Sequence, residues 1–377
     1  MNIGIVGYPT FGGSGVVATE LGKALAKKGH NIHFITYNQP ARLEELTPHI
    51  FYHEVNPADY PLFDYLPYEA ALSSKIVDVA RFEKLDVLHV HYAIPHASAA
   101  YMAKEILKTH GIHLPFITTL HGTDITLVGR DPSYEPVITF AINQSDVVTS
   151  VSESLKQDTY THFKITREIK VIPNFVCTDL YREAREKLSP EVVKQYAPKG
   201  EKILMHISNF RKVKRVEDVV RVFDKVRKKI PSKLLLVGDG PERQKIENLC
   251  RELGTCNNIF FIGKIKSTEQ ALAMADLFLL PSASESFGLS ALEAMASGVP
   301  VISTNTGGLP EVNIHGKSGF MANVGDVDAM ANFAIQILEN EDTHQQFRKG
   351  ALEQSMNFDI RKILPLYEEL YRSLINQ

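Results

Sequence analysis

The feature that most limits what this chain can fold into is an alternation of short apolar runs with amphipathic helical segments, repeated in two successive series. Asn2-Ile-Gly-Ile-Val-Gly7 reads as a buried parallel strand. Tyr8-Pro-Thr-Phe-Gly-Gly-Ser-Gly15 is a Gly-rich loop, and a helix with Val17, Leu21, Ala24 and Leu25 at helical spacing follows, stopped by Gly29. Residues 31–36 are the next strand. Strand, Gly-rich loop, helix and strand in that order make the unit on which nucleotide-binding α/β folds are built. Further strands are predicted at 86–92, 116–121, 146–151 and 169–172, with helices between them, among them 97–108 and 134–144. The stretch 37–70, rich in Pro, Tyr and Asn, reads as a long excursion over the sheet.

Residues 173–200 change character. Pro173-Asn-Phe175 has turn chemistry, and a charged stretch with Pro190 and Pro198 follows, which reads as a connection between domains. The second series then places strands at 202–208, 233–237, 258–262, 276–280, 299–303 and 318–321. Its helices fall at 216–229, 241–253, 268–274, 289–297 and 326–338. The tail 341–376 is two helical pieces broken near Asn357 and Asp359. Two Rossmann-like, doubly wound parallel-sheet domains facing across a cleft are expected. One is 1–172, with a C-terminal helix at about 358–377 packing back on it; the other is 173–357. The length of 377 residues suits two domains of ordinary size.

Composition removes several function classes. A charged fraction of 23% and a net charge of −3 carry no electrostatic footprint for nucleic acid. The three cysteines, Cys177, Cys250 and Cys256, are odd in number and form no close pair, which suits a reducing cytosol and argues against a disulfide framework or a zinc site. No signal peptide is expected, and no apolar run reaches the ~18 residues a membrane span needs. A cytoplasmic protein without nucleic-acid or membrane partners is expected, with homo-oligomerisation left open.

Four stretches could carry chemistry. In Glu285-Ser-Phe-Gly-Leu-Ser-Ala-Leu-Glu293, an apolar strand ends at Pro281, Glu285 sits in a turn and Glu293 in the following helix. Eight helical residues would rise ~12 Å, with a helix N-terminus suited to a phosphate between the two carboxylates. A nucleotide-sugar, with hydroxyls at both ends and a diphosphate between, would fit; capping by Glu285 and a surface role for Glu293 is the alternative. Asn209-Phe-Arg-Lys-Val-Lys-Arg215 puts cations at a strand end, as a diphosphate site or as a solvated basic turn. Leu120-His-Gly-Thr-Asp124 offers His121 to a sugar hydroxyl or to the reacting centre, with Asp124 orienting it or capping the next helix. The Gly-rich loop is neither Gly-x-Gly-x-x-Gly nor a P-loop, since Gly13 stands where the lysine should be; it serves ligand contact or a tight turn. His89, His91 and His96 match metal spacing only loosely, without a nearby Cys or carboxylate. Asp326-Val-Asp328 has the Asp-x-Asp pattern of metal-dependent sugar transferases, but it opens a helix, where capping explains it. Gly238-Asp-Gly-Pro241 reads as a strand–turn–helix connection.

With these motifs in place, the chain resembles the retaining glycosyltransferases of family 4, which have the GT-B fold, over nearly its full length. The most specific carriers are Glu285-x7-Glu293 with Ser286-Phe-Gly288 inside it, Gly307-Gly-Leu-Pro-Glu311 and Gly238-Asp-Gly-Pro241. The motifs at 8–15, 89–96, 120–125 and 208–215 are similar to one subgroup. Its members move N-acetylglucosamine from UDP-GlcNAc to the hydroxyl of L-malate, the first step of bacillithiol biosynthesis. The resemblance implies that Glu293 holds the ribose hydroxyls and Glu285 the donor-sugar hydroxyls, with the backbone of Phe287, Gly288 and Leu289 near sugar and phosphate. Lys214 and Arg211 would neutralise the leaving diphosphate, although Asn209 stands where most relatives have an Arg. Gly13 and Ser14 would approach the phosphate and acceptor, and His121 the sugar near its reacting carbon. It further implies same-face attack with retention, no cofactor and no metal. A dicarboxylate acceptor needs cations or N–H groups in the first domain; Arg42, Tyr92 and Thr119 are the candidates. A family-4 transferase with a lipid or polymeric acceptor, a UDP-sugar epimerase on the same architecture, and a non-catalytic nucleotide-sugar sensor are the alternatives.

Overall fold

The structure is a computed structural model that describes residues 1–377 apart from 11, 44, 45, 58–64, 128, 130, 376 and 377. It forms two compact units, Met1–Asn174 with Ile360–Gln377, and Phe175–Asp359. In chain order the first runs β1 (Asn2–Val6), α1 (Gly13–Lys27), β2 (Asn31–Thr36), β3 (Ile50–Glu54), α2 (Tyr68–Phe82), β4 (Val87–His91), α3 (Ser98–Thr109), β5 (Phe116–Leu120), α4 (Glu135–Gln144), β6 (Val147–Ser150), α5 (Glu153–His162) and β7 (Ile169–Val171). Its sheet has the order β3-β2-β1-β4-β5-β6-β7, and every pairing is parallel. The apolar runs read as strands are there because both faces of a parallel sheet must be covered. On one face α2 and α3 bring Leu72, Ile76, Val79 and Leu107 onto Leu88, Val90 and Phe116.

The second unit begins with α6 (Thr178–Glu186) and α7 (Pro190–Tyr196), and continues β8 (Lys202–Ser208), α8 (Val216–Arg227), β9 (Ser232–Gly238), α9 (Arg243–Glu252), β10 (Ile259–Gly263), α10 (Thr268–Ala273) and β11 (Leu277–Leu280). Then come α11 (Leu289–Ala296), β12 (Val301–Thr304), α12 (Leu309–Val312), β13 (Gly319–Ala322), α13 (Val327–Leu338) and α14 (Glu341–Ser355). The last helix, α15 (Ile360–Ile375), belongs to the first unit, where the Tyr371 hydroxyl meets His89 Nδ1 of β4 at 2.8 Å. The second sheet is β10-β9-β8-β11-β12-β13, also parallel throughout, with Val219, Phe223, Leu236, Ile302, Ala334 and Ile337 in its core.

Two readings of the sequence are corrected. The excursion 37–70 contains β3, an edge strand in which only Ile50 and His53 are partly shielded, and the start of α2. The connection 173–200 is helical: Ser189 caps α7 with Pro190 at its first position, and Arg185 of α6 donates to Ser297 O at 3.1 Å.

Strand order fixes where ligands can go. It reverses between β1 and β4 in one sheet and between β8 and β11 in the other, and in open α/β sheets the crevice lies beyond the strand C-termini at such switch points. The described residues there are 7–10, 12 and 92–97 in the first unit, and 209–215 and 281–288 in the second.

Candidate functional site

In the second unit the turn after β11 is locked onto the turn after β8. Ala283 N–H donates to Val213 O at 2.8 Å, and this backbone bond sets Lys214 against Glu285. Lys214 Nζ lies 2.5 Å from Glu285 Oε1. The same oxygen accepts from Ser282 Oγ at 2.8 Å, which fixes the carboxylate from a fully buried hydroxyl. From the other side Gly308 N–H donates to Glu285 O at 2.9 Å. Gly307, at φ 57°, packs so closely that a Cβ there would lie 1.9 Å from Glu285 O. The Gly-Gly-Leu-Pro-Glu motif is thus a rest for the Glu285 turn.

Gly288 precedes α11, whose first turn has no side-chain cap, so its N–H groups and positive dipole end face the same turn. Phe287 is buried with its ring edge-on to Phe358, 5.6 Å between centroids, leaving only its backbone for a ligand. Leu289 is half-buried, the first residue of α11. Glu293 is 7% exposed. Because α11 starts at Leu289, Glu293 stands only four residues beyond its first residue, so the helix supplies about 6 Å of rise, half of what eight helical residues would give.

The basic turn divides its work. Lys214 meets Glu285, while Arg215 Nε pairs with Asp218 Oδ2 at 2.6 Å. Arg211 is exposed and lines a small pocket with Lys212, Arg215, Glu217, Glu242 and Lys245. Sequence spacing did not single out His206 of β8. Its Nδ1 bonds Leu279 O at 2.8 Å and its Nε2 Ser208 Oγ at 2.8 Å. Burial first, with the Lys214 charge adding, brings its pKa down to about 4. A lone histidine inside an apolar run was the available signal.

In the first unit α1 begins at Gly13, with Gly12 offering no side chain to cap it. Ser14 Oγ accepts a 2.7 Å hydrogen bond from Tyr92 OH, which joins the first turn of α1 to the loop after β4. Tyr92 holds φ at 84°, a conformation costing a non-glycine residue ~1–3 kcal/mol and frequent at ligand sites. Its ring stands 5.2 Å from that of His121. Burial raises its hydroxyl pKa to about 12, so it stays protonated as a donor.

His121 is 9% exposed, its Nε2 2.8 Å from His91 Nδ1. Burial, then neighbouring imidazoles, bring His121 down to about 3 and hold His91 well below its ordinary value, so both are neutral. His91 Nε2 is buried with no partner among the described residues. A bare acceptor nitrogen costs less than an orphaned N–H, which favours the proton on His91 Nδ1, donated to His121 Nε2. His121 then keeps its own proton on Nδ1 and is a donor there. Asp124 does not orient the ring as expected. Its carboxylate accepts from Ala93 N–H at 2.8 Å and Gly122 N–H at 3.2 Å, pinning the two loops together. Burial raises its pKa to about 6 against those donors.

Thr119 is a correction. It is fully buried, with Oγ1 committed to His89 Nε2 at 2.7 Å and Thr149 Oγ1 at 2.6 Å, so it supports the sheet and does not face an acceptor. Arg42 lies in the β2–β3 connection, half-buried, with φ 64°. Asp326 caps α13 through Ala329 N–H at 2.9 Å, and Asp328 pairs with Lys225 at 2.8 Å, which accounts for both aspartates.

Comparison with known proteins agrees with this layout. The family described as "Glycosyltransferase Family 4" matches residues 11–180, and "Glycosyl transferases group 1" matches residues 190–354. The chain is 48% identical over 377 residues to the N-acetyl-alpha-D-glucosaminyl L-malate synthase of Bacillus anthracis, covering 100% of this chain and 97% of that one. Among solved structures, Anabaena HepE in complex with UDP and glucose superposes with a TM-score of 0.81 at 21% identity, covering 99% and 100% of the two chains. Sucrose-phosphate synthase from Thermosynechococcus elongatus does so at 0.80 and 22%, covering 100% and 99%. These two share the fold, two Rossmann-like parallel-sheet units of the GT-B kind. Among the described residues no helix is long and apolar enough to cross a membrane. The chain belongs to glycosyltransferase family 4.

Proposed function

We propose that this chain moves N-acetylglucosamine from UDP-GlcNAc to the hydroxyl of L-malate with retention, without a catalytic metal, as the first step of bacillithiol biosynthesis in the cytoplasm. The observation that carries donor and acceptor is the full-length likeness to a relative named for that product. The geometry agrees with it. Lys214 has three ammonium hydrogens and gives one to the Glu285 carboxylate, so donors remain for a phosphate. With the N-terminus of α11 it would meet the charge that grows on UDP as the C1–O bond breaks, the office a metal fills elsewhere. Glu285, held by Ser282 and Lys214, would accept from donor-sugar hydroxyls, and Glu293 from the ribose. His121, as a Nδ1–H donor, would bind the sugar near its reacting carbon. The malate oxygen attacks C1 on the face that UDP leaves, and the leaving phosphate takes its proton. Gly13, Ser14, Tyr92 and Arg42 are the acceptor-side groups in this reading, with Arg211 assisting the diphosphate from its pocket.

The test mixes protein with UDP-GlcNAc and EDTA, with and without L-malate, and follows UDP release. Release that requires malate, with a product of the combined mass, is the expected result. Release without any acceptor points to epimerisation or hydrolysis. Restoration by Mn²⁺ after EDTA inhibition would overturn metal independence.

A further inference from the structure

A second cluster of titratable groups lies in the first unit, separate from the residues above. β2 and β3 pair in parallel with His33 opposite Phe51 and Ile35 opposite His53. His33, Phe51 and His53 therefore share one face of the two strands. That register brings His33 Nδ1 to 3.0 Å from His53 Nε2, the rings stacked at 5.2 Å and 23°. Phe51 stacks on His33 at 4.9 Å. Glu83, at the C-terminal end of α2, adds a carboxylate, and its main chain is tied to β1 because Asn2 Nδ2 donates to Glu83 O at 3.1 Å. One ligand atom from each of His33, His53 and Glu83 lies within 4.8 Å of the other two.

We propose that His33, His53 and Glu83 form a binding site for one zinc-like divalent cation that staples edge strand β3 and the end of α2 to the sheet. Zinc takes imidazole nitrogen and carboxylate oxygen at about 2.0–2.2 Å in a tetrahedron, which sets ligand atoms about 3.3–3.6 Å apart. The 3.0 Å between the two imidazole nitrogens, with the Glu83 oxygen within 4.8 Å of both, leaves only a small adjustment to reach that requirement, and water would complete the four. At neutral pH an imidazole is mostly in the unprotonated form that ligates. In the metal-free protein one ring proton lies between the two nitrogens; when a cation binds there, that ring carries its proton on its other nitrogen, so both rings ligate as neutral imidazoles. The place is structural in kind. β3 is an edge strand with Phe51 46% and Tyr52 38% exposed, and it has a sheet partner on one side only. In the order β3-β2-β1-β4-β5 the pair on β2 and β3 is set apart from His121, which follows β5.

The experiment uses the full chain without a histidine tag, stripped with EDTA and passed into chelator-free buffer. Zn²⁺ is titrated by calorimetry and Co²⁺ by visible absorption, each alongside a thermal scan. The expected result is one tight equivalent, tetrahedral cobalt bands, and a Tm raised by a few degrees on zinc. His53→Ala removes the tight equivalent. Glu83→Gln, an exposed change that leaves the core intact, weakens it about tenfold or more. No tight equivalent in the native chain, or equal affinity in His53→Ala, would overturn the site. Binding is read on the protein alone, so it stands or falls apart from any transferase activity.

Discussion

Lys214 and Glu285 test the reaction at the scale of single residues. The pair is partly buried, with 22% and 12% of the two side chains exposed. Removing the ammonium should leave the fold standing, because Glu285 keeps its Ser282 bond and can reach water. If Lys214 meets charge that develops only as the diphosphate leaves, Lys214→Ala lowers turnover by about 10²–10³, the cost of one such contact, with little change in Tm. Full turnover would make the pair a structural clip. Glu293→Gln removes a charged acceptor, and UDP affinity measured by calorimetry should fall by about tenfold or more; unchanged affinity would take Glu293 out of the ribose role. Both glutamates and His121 could be singled out from spacing because each sits just beyond a strand or one turn into a helix, whereas Lys214 stood out from the other cations of its turn only through the family resemblance. Thr119 could not be judged that way. Its hydroxyl looked available in the sequence, whereas its partners, His89 and Thr149, lie on neighbouring strands. The link between His91 and His121 was hidden for the same reason: it crosses from β4 to β5.

Elements were legible where local pattern and tertiary demand agreed. The buried parallel strands were readable as apolar runs, and helices such as α8 and α13 as amphipathic periods. β3 was not, since Ile50-Phe-Tyr-His-Glu54 is short and none of its residues is fully buried, and its pairing with β2 supplies what its sequence lacks. Helices α6 and α7 read as a linker in the sequence because their charge hides their period. That charge is satisfied locally, Arg182 to Asp179 at 2.7 Å and Lys187 to Glu183 at 3.1 Å, as a helix permits. At this scale the sharpest test is the contact between the 305–308 turn and the Glu285 turn. Gly307→Ala would set a methyl 1.9 Å from the Glu285 carbonyl at a left-handed φ of 57°. Since backbone cannot swing away as a side chain does, a loss of about 2 kcal/mol or more is expected, together with weaker UDP-GlcNAc binding. Gly316→Ala separates the causes: its φ is 79° and nothing lies within 4 Å, so it bears only the conformational cost, about 1 kcal/mol, and leaves donor binding alone. Equal effects of the two changes would mean that the close approach does not position Glu285.

For the whole molecule, the distribution of buried histidines makes the two units respond unequally to acid. In the first unit burial brings His89 down to about 3, His121 to about 3 and His96 to about 4, and it lowers His91, His33 and His53 as well. The second unit holds His206, at about 4, and His344, also lowered mainly by burial. A histidine whose folded pKa lies below its unfolded value near 6.5 binds more protons unfolded, so its stability contribution is present above pH 6.5 and is lost as pH falls toward the folded value. Each such group makes stability fall by up to about 1.4 kcal/mol per pH unit in that window. Asp124 opposes this: raised to about 6, it binds more protons folded than unfolded, and it recovers stability as pH drops from 6 toward 4. One carboxyl does not offset six imidazoles. Between pH 7 and pH 5, after correction for intrinsic exchange rates, hydrogen exchange should therefore show β4 and β5 losing more protection than β8 and β11. Equal losses in both sheets would mean that the ring-to-ring contacts of His89, His91 and His121 persist when a proton enters, and that the first unit shares that charge among its histidines without opening.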